Sequence, residues 1–367
     1  MKIIQIIDVR WHNACADFAI KQAQGLKLRG HDVLLLANPG SPPGIEAKKV
    51  GLDVCEEINF SGKLAVASAP SRLRGIARCF GADVIIAHRG ESHLIGALAA
   101  RGMQFRIARF RGDVRAPRSD IFNRWLNERL TNGIAVSTMQ LKKDYENKFR
   151  LNGIPIKIIY PGIDLDCFRI TAPKAELKLK FGLNPDNIVI GIVGRLSPVK
   201  GHRYFLEAAS IVGQKYPKAQ FVIAGGDAQI KMGEMKELAA SLEVKNIRFF
   251  EVIDNIVDLI GAFDIGVVAS IGSEMICRVL LEYFALGLPV VATSVNQISE
   301  IMELSHGGIL VPPEDSASLS AALLKLIEDV DKREKYSALG KSWVDGRSLQ
   351  DLGGDTELFL TEVHNVQ

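Results

Sequence analysis

The chain has 367 residues, 47% of them hydrophobic and 24% charged, which excludes a disordered protein and exceeds one ordinary domain. Its five cysteines (Cys15, Cys55, Cys79, Cys167, Cys277) are scattered and lack C-x-x-C spacing, so neither a disulfide framework nor a zinc site is indicated and a reducing compartment fits. The net charge of +3 hides an asymmetry: residues 1–170 carry 26 Lys+Arg against 16 Asp+Glu, whereas residues 171–367 carry 19 against 26.

A basic first half suits an anionic partner such as a membrane surface, a phosphorylated glycan or nucleic acid. Nucleic acid fits least, since no basic motif interleaved with aromatics appears. Met1 and Lys2 lead straight into an apolar run too short for a signal-peptide core. No run approaches the roughly 20 apolar residues of a membrane span, and a cytosolic protein is expected.

In chain order, strands are expected at Ile3–Ile7, Val33–Ala37, Val84–His88, Arg106–Phe110, Ile134–Ser137 and Ile156–Tyr160. Helical patterns lie between them, such as Ala16–Arg29, stopped by Gly30. The same grammar restarts at Ile188–Val193, then Gln220–Ala224, Ile247–Phe250, Ile265–Ala269, Pro289–Thr293 and Ile309–Val311. Buried strands alternating with helices predict an α/β protein of two Rossmann-like units, each a parallel sheet covered on both faces. The expected division is 1–168 and 169–349, with a last helix near Gly354–His364, about 350–367, packing back on the first domain. Ligands of such sheets bind beyond the carboxyl ends of the strands, so an active-site cleft is expected between the two domains.

The loop Gly194-Arg195-Leu196-Ser197-Pro198-Val199-Lys200-Gly201 follows an apolar strand and precedes a helix near His202. Backbone N–H groups, a guanidinium, an ammonium and a helix start together suit a diphosphate, although strand–Gly–Arg–helix junctions are common in parallel sheets. Glu274 and Glu282 offer carboxylates to sugar diols. Glu282 stands among Val279, Leu280, Leu281, Tyr283 and Phe284, so it must be paired with something. A hydrolase's acid/base carboxylate pair is the competing reading.

With the G-R-x-x-x-x-K-G loop at Gly194–Gly201, E-x7-E at Glu274–Glu282 and A-x-G-x-P-V-V-A-T at Ala285–Thr293, the chain resembles the retaining family-4 glycosyltransferases of GT-B fold. Tyr160-Pro161-Gly162-Ile163-Asp164 with Phe168, and Leu310-Val311-Pro312-Pro313 with Asp315, echo the same family. The resemblance is dense over the second half and loose over the first. It implies sugar transfer from a nucleoside diphosphate donor with retention, without a metal or other cofactor and without a protein nucleophile. By that likeness Arg195 and Lys200 hold the diphosphate, Glu274 the donor sugar and Glu282 the ribose. The backbone of Met275, Ile276, Cys277 and Arg278 lines the sugar and phosphates, and the base lies near Val252 and Ile253.

The chain departs from the family where Met275-Ile276-Cys277-Arg278 replaces the usual glycine and phenylalanine, and where Glu251 stands in place of a glycine. Val9-Arg10-Trp11-His12-Asn13-Ala14 also replaces a glycine-rich loop. His88 ends a strand at a position where the family often has histidine, and is expected at the cleft edge as a catalytic or acceptor-side group. Arg111 stands where many members have a histidine. With Arg109, Arg115 and Arg118 it suits a phosphorylated or carboxylated acceptor, or else forms a solvated turn paired with Asp113. Trp11, Asn13, His88, Arg89, Arg111 and Arg115 are the acceptor-side candidates.

Asp164-Leu165-Asp166 reads as a turn or helix cap rather than a metal motif. The Lys63–Arg78 region is a candidate basic amphipathic helix for an anionic membrane, or a plain covering helix. The expected function is a transferase building a lipopolysaccharide-core or similar cell-surface glycan at the inner membrane face. A GT-B-fold sugar-nucleotide epimerase and a nucleotide-sugar-binding protein without turnover remain as alternatives.

Overall fold

The computed structural model describes all residues except 10, 12, 61–64, 113–114, 171, 252, 254, 273–275 and 367, and the side chains of 65 and 66. The chain divides into two compact units. The first comprises residues 1–163 and 347–367, the second residues 164–346.

The first unit contains β1 (Lys2–Ile7), β2 (Asp32–Ala37), β3 (Asp53–Cys55), β4 (Val84–Ala87), β5 (Arg106–Arg111), β6 (Gly133–Val136) and β7 (Ile156–Ile158). They form one parallel sheet in the order β3-β2-β1-β4-β5-β6-β7. The central strands are almost wholly buried because helices cover both faces, which is why they read as apolar runs, interrupted inside β1 by Gln5 alone.

Helix Ala65–Phe80 contributes to that cover. Ala69, Leu73 and Ala77 enter the core, and Arg74 donates to the carbonyls of Leu98 and Ala99. Its apolar face is therefore spent on the sheet, and the described part of Lys63–Arg78 serves as a covering helix, with Arg72 and Arg78 left on the outer side.

The first helix runs Ala14–Leu28 and the last Leu349–His364, and they pack against each other within this unit. Gly25 and Gly353 make the crossing possible. A Cβ on Gly353 would lie 2.2 Å from the Gly25 carbonyl oxygen, and one on Gly25 would lie 2.2 Å from that of Leu349. The last helix begins five residues before the expected Gly354, because Ser348 and Asp351 form a reciprocal cap at its start.

The second unit contains β8 (Val189–Val193), β9 (Gln220–Ala224), β10 (Ile247–Phe250), β11 (Ile265–Val268), β12 (Val290–Thr293) and β13 (Gly308–Val311). Its parallel sheet has the order β10-β9-β8-β11-β12-β13. Both sheets thus follow the dinucleotide-fold order, reversing direction at one switch point: between β1 and β4 in the first, between β8 and β11 in the second. Asp164 caps the short turn Leu165–Cys167 by accepting the Asp166 N–H at 3.2 Å, while Asp166 pairs with Arg169. Among the described residues no helix is long and apolar enough to cross a membrane.

Candidate active site

In the second unit the loop after β8 is pinned on both sides of the switch point. Toward β9, the Gly194 N–H donates to Ala224 at 2.9 Å and the Leu196 N–H to Gly226 at 3.0 Å, with the Leu196 side chain fully buried. Toward β11, the Ile271 N–H donates to Val199 at 2.9 Å. Gly201 adopts φ +68°, and a Cβ there would lie 1.8 Å from the Ala269 carbonyl oxygen, so only glycine fits.

This backbone displays two cations. Arg195 is exposed, while Lys200 is half-buried with its methylenes 3.7–4.0 Å from where a Gly194 Cβ would stand. The fourteen-residue helix His202–Lys215 begins immediately afterwards, adding the partial positive charge of its N-terminus. His202 is buried, and neither ring nitrogen finds a hydrogen-bond partner among the described residues. Burial pushes its pKa down to about 4, and the Lys200 ammonium acts in the same direction against a nearby Gly194 backbone group. Its ring is therefore neutral at neutral pH, so the loop's charge comes from Arg195 and Lys200.

The other side of the switch point is the segment after β11. Ile276 and Cys277 are buried, and the Cys277 N–H donates to the buried Gln297 side chain at 3.1 Å, so that amide is engaged within the protein. Helix Arg278–Ala285 follows, with Leu280, Leu281, Tyr283 and Phe284 in the core. Glu282 finds the partner its apolar company requires: Arg278 lies 3.6 Å away, one turn back. Ile253 is half-buried. Glu274, Met275 and Val252, three of the donor-side candidates, lie outside the described residues.

Tyr283 was not singled out from the sequence. Its hydroxyl accepts the Val193 N–H at 2.9 Å and lies 3.4 Å from the Gly191 oxygen and 3.5 Å from that of Val267. It thus fills the gap where β8 and β11 part. The readable signal was Gly266, whose missing Cβ would stand 2.6 Å from the Tyr283 ring.

At the switch point of the first unit, Asp8 follows β1 and His88-Arg89 follow β4. The expectation of His88 at a cleft edge needs correction, because its ring is 2% exposed, packed against Phe18 and Phe110. Burial, with Arg109 adding to it, pushes its pKa down to about 3. A buried relay also sets its tautomer. The Thr356 hydroxyl donates to the Leu352 carbonyl at 2.7 Å, so it must accept from Gln22 Nε2 at 3.1 Å. Gln22 Oε1 then accepts from Gln5 Nε2 at 2.5 Å, which places that same amide nitrogen 3.1 Å from His88 Nε2. His88 Nε2 is therefore the acceptor and the proton resides on Nδ1, which has no partner among the described residues.

Asp8, also missed, accepts from Ser92 Oγ at 3.1 Å and lies 4.0 Å from Arg89 Nε. Burial raises its pKa, opposed mainly by Arg89. An acid closing a buried strand that is apolar but for Lys2 and Gln5 was the available signal. Arg109 is buried and donates to the Ala87 carbonyl at 3.0 Å. Arg111 is half-buried, donates to the Arg115 carbonyl at 2.5 Å and lies over the Tyr145 ring at 5.8 Å. Trp11 is exposed. The side-chain oxygen of Asn13 caps the first helix by accepting from the Ala16 N–H at 3.0 Å. Asp113, the expected counter-charge of the arginine turn, lies outside the described residues.

The family described as glycosyl transferases group 1 matches residues 187–329, and that described as glycosyltransferase family 4 matches residues 18–167. The chain belongs to the group 1, family 4 glycosyltransferases. A relative named D-inositol 3-phosphate glycosyltransferase, from Thermobispora bispora, is 30% identical over 193 residues, covering 50% of this chain and 45% of that protein. The chain thus spans just under half the length of the curated relatives it matches.

Among solved structures, Anabaena HepE in complex with UDP superposes with a TM-score of 0.85 at 20% identity, covering 98% of this chain and 100% of that one. WaaG, a glycosyltransferase involved in lipopolysaccharide biosynthesis, superposes with a TM-score of 0.67 at 17% identity, covering 97% and 99%. At these identities the likeness is one of fold: two Rossmann-like domains with parallel sheets, as in GT-B enzymes.

Proposed function

We propose that this family member is a retaining glycosyltransferase that moves a sugar from a nucleoside diphosphate sugar to an anionic glycan or glycolipid acceptor. The observation that carries the reading is the Gly194–Gly201 loop, a rigid backbone presenting Arg195 and Lys200 at the start of a helix and at a sheet's switch point. In this reading the two cations bind the diphosphate, so no metal is required. As the glycosidic bond loosens, charge grows on the departing phosphate oxygen, and a fixed guanidinium and ammonium neutralise it there. The bond from the anomeric carbon to phosphate breaks, a bond to the acceptor hydroxyl forms on the same face, and the phosphate oxygen takes the acceptor's proton. Glu274 reads the donor sugar, Glu282 the ribose, and Val252 and Ile253 the base.

On the acceptor side, Arg89, Arg111 and Arg115 supply positive charge, with Trp11 and Asn13 beside them. His88, neutral and buried, adds no charge there and serves to shape the pocket floor from behind. A relative is named for an inositol phosphate and a structural neighbour for lipopolysaccharide biosynthesis. Both fit a phosphate-bearing acceptor, of which a core oligosaccharide at the inner face of the cell membrane is one.

The test is transfer from a panel of sugar nucleotides, beginning with UDP-sugars, to phosphorylated acceptors. Removing one preorganised charge donor costs roughly 10²–10³-fold in turnover, so Arg195→Ala and Lys200→Ala together should abolish transfer. Undiminished activity in that pair would overturn the site. Donor conversion without an acceptor would instead mark an epimerase, and tight donor binding in calorimetry without turnover a binding protein.

A further inference from the structure

In the second unit the segment that leaves β11 runs over residues 269–277 to helix Arg278–Ala285, and the connection after β12 holds it at both ends. At the near end the Thr293 hydroxyl donates to the Ser270 carbonyl and lies 3.2 Å from the Val268 oxygen. At the far end the Cys277 N–H donates to Gln297 Oε1 at 3.1 Å, across 20 residues of sequence. Ser270, Cys277, Thr293 and Gln297 are all buried. The clamp is itself fixed. The Ser294 N–H donates to the Val311 carbonyl at 2.8 Å, and Ile298, Ile301 and Met302 bury one side of helix Asn296–Ser305. Asn296 adopts φ +44°, a left-handed turn that asparagine tolerates, immediately before Gln297. An apolar side chain could fill the Gln297 position without desolvating an amide; what glutamine adds is its hold on one backbone N–H of the loop.

We propose, on the reading that Glu274 contacts the donor sugar, that Gln297 is a positioning residue for donor selectivity, with Thr293 as its counterpart at the other end of the loop. In sequence Glu274 falls between the two anchors, four residues after Ser270 and three before Cys277. Fixing both ends of so short a loop limits the paths open to the residues between them. Sugars that differ at one hydroxyl are told apart by polar groups held in place, so selectivity depends on that restriction. The diphosphate is assigned to a different loop, Gly194–Gly201, pinned by its own hydrogen bonds to Ala224 and Gly226. Loosening the Gln297 anchor therefore separates the two tasks: recognition of the sugar suffers, and that of the nucleoside diphosphate is kept.

Calorimetric titration of the full chain with UDP, UDP-glucose and UDP-galactose, and with their GDP and ADP counterparts, tests it. Gln297→Met keeps the length of the side chain and removes the acceptor. It should bind the nucleoside diphosphate within about twofold of wild type while the preference between epimeric sugars falls about tenfold or more, since a displacement of about 1 Å costs up to ~10²-fold. Gln297→Glu keeps an acceptor for the Cys277 N–H and should restore most of that preference. Thr293→Val should lower the preference as Gln297→Met does, so that misfolding of one variant leaves the other to decide. An unchanged preference in both, or equal loss of nucleotide and nucleotide-sugar binding in a folded Gln297→Met, would overturn the proposal and leave the donor site standing. So would a wild type that binds these donors without preference. A wild type that binds none of the nucleotides would overturn the proposed function itself, and the role of Gln297 with it.

Discussion

Tyr283→Phe isolates one oxygen atom. The ring is buried and fits the space left by Gly266, so phenylalanine keeps its packing and removes only the acceptor of the Val193 N–H at 2.9 Å. The hydroxyl proton, shared between the Gly191 and Val267 oxygens at 3.4 and 3.5 Å, is lost at little expense because those contacts are long. An orphaned buried donor costs roughly 1–3 kcal/mol. Val193 is half-buried, so water reaches part of it and the lower part of that range, about 1–2 kcal/mol, applies. For a unit of this size that is roughly 2–8 °C in Tm. Val193 immediately precedes Gly194, so the loosened strand end should also weaken donor binding several-fold and leave the acceptor KM alone. Calorimetry of unfolding and donor titration measure the two effects. An unchanged Tm with unchanged donor affinity would refute the idea that this hydroxyl holds the loop.

Gly353→Ala should lower the stability of the first unit by about 1–3 kcal/mol, because the new Cβ meets the Gly25 backbone and the helices must part; denaturant unfolding followed by domain-specific probes checks that the second unit is spared. Gly201→Ala should cost a similar amount in the second unit and weaken donor binding, since both φ and the Ala269 oxygen oppose it; donor titration reads the loss. Stability should fall as pH drops from about 6.5 toward 4 and 3. His202 (about 4) and His88 (about 3) stay neutral when folded but take up protons at the ordinary 6.5 once unfolded. The unfolded chain thus binds more protons in that window, giving a slope of up to ~1.4 kcal/mol per pH unit for each histidine, and His202→Gln should flatten the upper part of the curve. Thr356→Val should release the relay's outer end, and the nitrogen shifts of His88 should report loss of the single Nδ1–H tautomer.

Twelve of the strands were legible, the central ones because burial on both faces writes them as mainly apolar runs, and the partly exposed β7 and β10 from their aliphatic and aromatic residues. Asp53–Cys55 was not, since a three-residue edge strand with one aliphatic side chain carries no pattern. Glu282 was readable as paired because the apolar side chains on both sides forbid an unpartnered charge, and Arg278 is one turn away. His88 was misplaced for the opposite reason. A histidine after four apolar residues looks like the exposed end of a strand, and only the fold links Gln5, Gln22 and Thr356 to it, through successive hydrogen bonds that span 17 to 334 residues of sequence. The last helix was started too late because Gly353-Gly354 resembles a break; in the fold Gly353 is where another backbone comes close.

Two sheets with the same strand order carry unlike chemistry at the same topological place. In the second unit the switch point holds cations on a backbone fixed by hydrogen bonds to both neighbouring strand ends, and its buried histidine is kept neutral. In the first unit burial acts on both signs: it raises Asp8 and lowers His88, His93 and Arg109. His93 shows how completely such groups are absorbed, since its Nε2 must donate to a Thr131 hydroxyl already committed to the Leu126 carbonyl. The buried part of that switch point therefore offers shape and directed hydrogen bonds, and its charge is left to the half-buried and exposed arginines around it. That division suits the proposed reaction. A diphosphate is the same in every nucleotide donor and rewards a rigid cationic loop, whereas an acceptor is distinguished by where its hydroxyls and anionic groups lie, and in the proposed reading the half-buried and exposed arginines, with their directed N–H groups, meet those groups on a scaffold that the buried relay keeps in shape.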